Sequence, residues 1–186
     1  MSIPVAERNR RIYLTGFMAS GKSTIGPILA NALGFEFVDL DLAIARVEGK
    51  TVREIFRDEG EHYFRQRERA MVTELSGRDR VVISLGGGTL SDPDTLPIIT
   101  GSGILVYLKV PVDEITRRLR SKTDRPMVLN ADGERLNEDQ LRDRIATLLA
   151  MREPVYALAD VTLEADQQRL GLTVDRLVRA LAPLVR

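Results

Sequence analysis

Short apolar runs rich in β-branched residues alternate along this chain with longer segments whose apolar positions recur every three or four residues. The runs Ile12–Thr15, Phe35–Leu40, Val81–Leu85, Gly103–Lys109 and about Val161–Glu164 read as strands. The first intervening segment predicts a helix from about Lys22 to Leu33, with Gly34 as its stop. Pro27 falls inside it, cannot donate to the Ser23 carbonyl, and predicts a local kink. Thr51-Val52-Arg53-Glu54 has the spacing of a capping box that opens a short helix. Gly60 interrupts, and a longer helix is expected from about Glu61 to Leu75. Further helices are expected over Asp92–Ile99, Val112–Leu119, Asn137–Met151 and Leu172–Leu184.

Strands alternating with helices in this way predict an α/β fold, a three-layer α/β/α arrangement around a five-stranded parallel sheet. Residues 12–186 read as a single domain, and residues 1–11 as a short flexible arm without the apolar core of a signal peptide. Between Leu119 and Asn137 the chain becomes charged and proline-marked, which predicts a mobile lid over about 120–136.

Composition narrows the function classes. Charged residues make up 29% of the 186-residue chain and the formal net charge is zero, which fits a globular protein and argues against a large nucleic-acid footprint. The absence of cysteine excludes disulfides, thiolate metal sites and cysteine nucleophiles. No apolar run approaches the ~20 residues that span a bilayer. The expected setting is the cytoplasm, with neither membrane nor nucleic acid as partner.

The chemistry begins at Gly16-Phe17-Met18-Ala19-Ser20-Gly21-Lys22-Ser23-Thr24, which lies between the first strand and the first helix with the spacing G-x-x-x-x-G-K-S. Such a loop turns backbone N–H groups inward around an anion, and the following helix aims its unpaired N–H groups at the same point. Ala19, Ser20, Gly21, Lys22, Ser23 and Thr24 are therefore candidate nucleotide contacts. Lys22 is placed to reach the β- and γ-phosphates and the Ser23 hydroxyl to ligate Mg²⁺.

Asp39 and Asp41 close the second strand. Side chains alternate along a strand, so both carboxylates are expected on one side, near the strand's C-terminal end where ligands bind in open parallel sheets. One is suited to Mg²⁺, the other to receiving a proton from an attacking hydroxyl. Arg65 lies on the long helix, where taken alone it reads equally as helix surface. The third strand runs into Gly86-Gly87-Gly88, either a plain turn or bare backbone that something approaches closely. Arg118 and Arg125 flank the start of the lid, where arginine neutralises charge on a transferred phosphoryl group. Arg152 stands at a helix end. The lone histidine, His62, reads as helix surface.

Together these segments resemble the shikimate kinases, within the nucleoside-monophosphate-kinase-like P-loop fold. The resemblance rests on Gly16-x-Met18-x-x-Gly21-Lys22-Ser23-Thr24, Asp39-x-Asp41, and Ile55-Phe56 followed by Gly60-Glu61-x-x-Phe64-Arg65-x-x-Glu68. It continues through Gly86-Gly87-Gly88, Arg125-Pro126 and Arg152-x-Pro154-x-Tyr156. It implies transfer of the ATP γ-phosphoryl group to the 3-hydroxyl of shikimate by a monomeric enzyme, with ATP as co-substrate and one Mg²⁺ per subunit. Lys22 and its loop would bind phosphate, Ser23 and Asp39 would serve Mg²⁺, and Asp41 would contact the shikimate hydroxyls as base or orienter. Arg65 and Arg152 would hold the acceptor carboxylate, with the backbone of Gly86, Gly87 and Gly88 beside it. Arg125 would act from the lid and Arg118 would lie against the nucleotide.

Ala19 takes a loop position that is often glycine in that family, tolerable with φ < 0. Leu170 stands where an adenine-contacting loop over 166–170 often carries a proline. The alternatives are a gluconate- or nucleotide-type small-molecule kinase of the same fold, and a non-catalytic ATP-binding switch module. Against a GTPase-type switch stands the lack of an Asn-Lys-x-Asp motif.

Overall fold

A single sheet of five parallel strands runs in the order β2-β3-β1-β4-β5 through the computed structural model. The strands are β1 (Arg11–Thr15), β2 (Glu36–Asp39), β3 (Val81–Ser84), β4 (Ile104–Lys109) and β5 (Val161–Glu164). The structure describes residues 10–121, 126–130, 133–164 and 170–185. Its helices are α1 (Lys22–Leu33), α2 (Leu40–Glu48), α3 (Val52–Asp58), α4 (Gly60–Leu75), α5 (Leu96–Ser102), α6 (Val112–Arg120), α7 (Glu138–Tyr156) and α8 (Leu170–Leu181).

Period-two alternation in the central strands splits their side chains between two cores. Ile12, Leu14, Val82, Ile104, Val106 and Leu108 pack under α1 and α8. Tyr13, Val81, Ile83, Leu105 and Tyr107 pack on the opposite face under α2, α3, α4 and α5. The three expected layers follow from this division. A third cluster joins Phe17 and Val110, which follow β1 and β4, to Ile115 and Leu119 of α6 and Leu141 and Ile145 of α7. It caps the C-terminal ends of those two strands.

Several boundaries differ from expectation for local reasons. Arg11, placed in the arm, is 7% exposed, opens β1 and donates to the Arg78 and Ser102 carbonyls. α1 continues through Pro27, which is exposed, so water can serve the Ser23 carbonyl that loses its donor. α5 starts later than expected, with its proline in the first turn, where a missing N–H costs nothing. α7 passes Pro154 and ends at Tyr156 rather than near Met151, so Arg152 is one turn inside the helix.

Within the expected lid, Pro126–Val128 forms a 3-10 turn, Leu129 bridges Arg135, and Val128 is buried in the third core. Arg144 of α7 donates to the Leu129 carbonyl at 2.7 Å. Residues 122–125 and 131–132, and with them Arg125, lie outside the described residues, as do 1–9 and 165–169. Among the described residues no helix is long and apolar enough to cross a membrane.

Candidate active site

The strand register brings the chemistry to one edge. Ser84 of β3 pairs with Leu14 of β1 and with Asp39 of β2, so the chain leaves all three strands at the same level. The glycine-rich loop, the Asp39–Asp41 pair and the glycine triplet therefore emerge side by side at the C-terminal end of the sheet.

The loop after β1 is shaped by three unusual backbones. Gly16 (φ 145°) runs so close to β4 that a Cβ would stand 2.7 Å from the Leu108 carbonyl oxygen. Gly21 (φ 103°) caps α1, its carbonyl accepting from the N–H groups of Thr24 and Ile25 at 3.0 and 2.8 Å. Ala19 has φ 61°, which overturns the expected φ < 0. The Ser20 N–H donates to the Phe17 carbonyl, making Ala19 the third residue of a turn, a position that takes positive φ in type II turns. An L side chain there costs about 1–2 kcal/mol.

Lys22 Nζ donates to the Gly16 and Phe17 carbonyls at 2.7 and 3.2 Å, so its ammonium arches over the loop. Ser23 and Thr24 are exposed in the first turn of α1. The Ser20 and Thr15 hydroxyls are buried without a hydrogen-bond partner among the described residues.

The two acids are placed by a helix rather than by strand alternation. β2 ends at Asp39, whose Oδ1 accepts from the Leu42 N–H at 3.2 Å as the N-cap of α2. Asp41 follows in the first turn of that helix. Both still reach the cleft. Burial foremost, then the charges of Asp39 and Glu68, push the Asp41 carboxyl up to about 6, against the opposing pull of Lys22 and Arg65.

Charged side chains stand against every glycine of the triplet, two of them against Gly86, where a Cβ would also lie 3.1 Å from Glu68 Oε1. A Cβ on Gly86 would lie 3.0 Å from Asp41 Oδ1, one on Gly87 would lie 3.1 Å from an Arg152 guanidinium nitrogen, and one on Gly88 would lie 2.7 Å from an Arg65 guanidinium nitrogen. The glycines do form a turn, with the Gly86 and Gly88 carbonyls bonded within it, and Arg65 is salt-bridged along its helix as well as packed on Gly88. Arg152 also lies over the Phe17 ring, 5.6 Å from its centroid, which ties it to the phosphate loop.

Arg65 is held by Glu68 at 2.6 Å and by Glu61 at 3.2 Å. Glu68 is 1% exposed and also accepts from the Thr89 hydroxyl. Neither Glu68 nor Thr89 has an expected role in the sequence reading above. The available signal was a carboxylate on the buried stripe of α4, four residues from both Phe64 and Val72.

Arg118 sits on the opposite flank of the loop, donating to the Ala19 carbonyl at 3.0 Å and to the buried Glu114 at 2.7 Å. His62 is exposed, within 3.0 Å of Gln66, as helix surface. Lys22, Asp39, Asp41, Arg65, Gly86, Gly87, Gly88 and Arg152 thus share one cleft, with Arg118 bordering its loop.

A protein-family model described as shikimate kinase matches residues 18–182. The chain is 49% identical over 175 residues to the shikimate kinase of Chlorobium chlorochromatii, covering 94% of this chain and 92% of that one. A solved shikimate kinase from Bacteroides thetaiotaomicron superposes with a TM-score of 0.84 at 36% identity, covering 93% of this chain and 98% of the other. Another, from Acinetobacter baumannii in complex with shikimate, gives a TM-score of 0.82 at 33% identity over 98% of this chain and all (100%) of that one.

Proposed function

The chain belongs to the shikimate kinase family, and we propose that it transfers the γ-phosphoryl group of ATP to the 3-hydroxyl of shikimate, giving shikimate 3-phosphate and ADP. One observation carries this beyond the nucleotide loop: three consecutive glycines stand against Asp41, Arg152 and Arg65 in turn, beside Lys22. A small acid bearing hydroxyls needs guanidinium groups for its carboxylate, an acceptor for a hydroxyl proton, and bare backbone that lets it come close.

In this proposal the acceptor carboxylate lies between Arg65 and Arg152. Asp41 takes the proton of the attacking hydroxyl as its oxygen bonds to the γ-phosphorus and the bond to the β-phosphate bridging oxygen breaks. Little covalent help is required, so positioning and charge neutralisation supply most of the rate. Lys22 leaves its loop carbonyls for the β- and γ-phosphates, Arg118 lies against the nucleotide, and Arg125 neutralises charge on the transferred group.

The oxygens of Ser23 and Asp39 fit one Mg²⁺. Ser23 is exposed at the head of α1, and Asp39 commits only Oδ1 to its cap. No cluster of three His, Cys, Asp or Glu among the described residues forms a cage. One or two protein oxygens completed by phosphate and water is the usual way of holding this ion. When bound, Mg²⁺ supplies neutralisation of phosphate charge. We place the enzyme in the cytoplasm, acting as a monomer.

A panel of acceptors in a coupled ADP-release assay tests the assignment. Shikimate is expected to give acceptor-dependent turnover well above gluconate or a nucleoside monophosphate. Preference for either of those would reassign the acceptor, and ATP binding without any acceptor-dependent turnover would make the chain a binding module.

A further inference from the structure

The middle glycine of the triplet has an anchor that the proposed reaction does not use. The Gly86 carbonyl accepts from the Thr89 N–H at 3.3 Å and the Gly88 carbonyl from the Ser91 N–H at 3.0 Å, so both are fixed within the turn. The Gly87 carbonyl accepts instead from the Tyr156 hydroxyl, at 3.0 Å. Three successive glycines have no side chains of their own to restrict the backbone. The orientation of the central peptide is therefore set from outside, by α7.

Arg152 and Tyr156 are four residues apart on α7 and leave it on the same face. Both reach Gly87, the arginine 3.1 Å from where a Cβ would stand and the tyrosine at the carbonyl. The Tyr156 ring is 1% exposed and packs on Tyr107 with centroids 4.9 Å apart. Glu153 between them accepts from the Tyr107 hydroxyl at 2.9 Å and pairs with Lys109 at 2.9 Å, tying this last turn to β4.

In a trans peptide the carbonyl and the following N–H point in opposite directions. Holding the Gly87 carbonyl on the Tyr156 side turns the Gly88 N–H to the other side, where it donates to no acceptor among the described residues. We propose that Tyr156 is a positioning residue for the acceptor: its hydroxyl orients the Gly87–Gly88 peptide and seats Arg152 against it, preparing one donor group for a carboxylate. This rests on the assignment of Arg65, Arg152 and the triplet to the acceptor carboxylate. A buried tyrosine that merely satisfies its hydroxyl would have no such effect on one substrate.

Tyr156→Phe keeps the ring stack and removes the hydroxyl, with its hydrogen bond to the Gly87 carbonyl and its contact with the Arg152 side chain. The expected result is a rise of about five-fold in KM for shikimate, the scale of one lost hydrogen bond. KM for ATP should stay within two-fold and the melting temperature should be little changed. Arg152→Ala and the double variant complete a cycle. If both residues prepare the same donor group, Tyr156→Phe should cost much less in the Arg152→Ala background than in wild type.

An unchanged shikimate KM in Tyr156→Phe, an equal rise in both KM values, or additive effects in the cycle would overturn the role of Tyr156 while leaving the acceptor site standing. Failure of Arg152→Ala itself to raise shikimate KM would instead overturn the acceptor-site assignment on which the proposal rests.

Discussion

Asp41 is the residue whose environment does most to define this cleft, and its effect on stability has a definite sign. Its carboxyl is moved from 3.8 to about 6, first by burial and then by Asp39 and Glu68, with Lys22 and Arg65 opposing. An acid whose pKa is higher in the fold binds its proton more tightly there. Its contribution to stability is full below pH 3.8 and is lost as pH rises through about 6. Asp41→Asn fixes the neutral state, so the ligand-free variant should melt above wild type at pH 7.5, and the gap should close below about pH 4. Thermal unfolding of both proteins across that range checks this; a gap independent of pH would remove the buried charge from the account. The same variant should lose about 10²- to 10⁴-fold in turnover, since an amide cannot accept the hydroxyl proton. Wild-type turnover should fall as pH drops below about 6. That Asp39 and Asp41 belong together was visible from their spacing, but the stated reason was not the operative one. They share a site because Asp39 caps α2 and Asp41 lies in its first turn.

At the scale of elements, the sequence pattern showed the strands, α1 and the capping box of α3 clearly because each is specified by local chemistry. The Thr51 and Glu54 side chains make both halves of that box, and Gly34 (φ 67°) stops α1 where a left-handed residue is required. One miss is a competition between two local signals. The apolar run from Phe35 to Leu40 reads as one strand, which concealed α2, although Asp39 as N-cap and Gly49 as terminator bracket that helix. The helix expected over Asn137–Met151 instead runs on past Pro154, and the extra turn carries Tyr156 to Gly87. Long-range packing was beyond any local signal. Gly26 of α1 lies so close to β2 that a Cβ would stand 2.2 Å from the Phe37 ring. Gly26→Ala should therefore cost about 1–3 kcal/mol through overpacking, against the small gain alanine ordinarily brings to a helix. At about 2–4 °C per kcal/mol for a chain of this size, a thermal melt would show a drop of at least 2 °C. A raised melting temperature would mean that the ring moves aside freely.

At the scale of the molecule, sheet order gives the cleft two sides with different supports. β1 lies between β3 and β4, so its loop meets the glycine triplet, α2 and α4 on the β3 side, all founded on the core around Tyr13 and Ile83. On the β4 side the loop meets α6, whose Arg118 holds the Ala19 carbonyl, founded on the separate core of Phe17, Ile115 and Leu119. The formal charge of the chain is zero, and this edge is balanced in the same way, gathering Lys22, Arg65 and Arg152 with Asp39, Asp41 and Glu68. Ligand stabilisation should therefore divide between the two sides. ATP or shikimate at a hundred times its Kd should each stabilise the fold by about 2.7 kcal/mol, a rise of about 5–11 °C. Lys22→Ala should abolish the rise caused by ATP and retain the one caused by shikimate. Arg65→Lys should do the reverse, since an ammonium cannot reproduce a guanidinium fork against a carboxylate. Comparing ligand-induced shifts rather than absolute melting temperatures cancels what each substitution does to the ligand-free fold. If either variant loses both shifts together, the two sides are one cooperative unit and the separate cores do not isolate the two substrates.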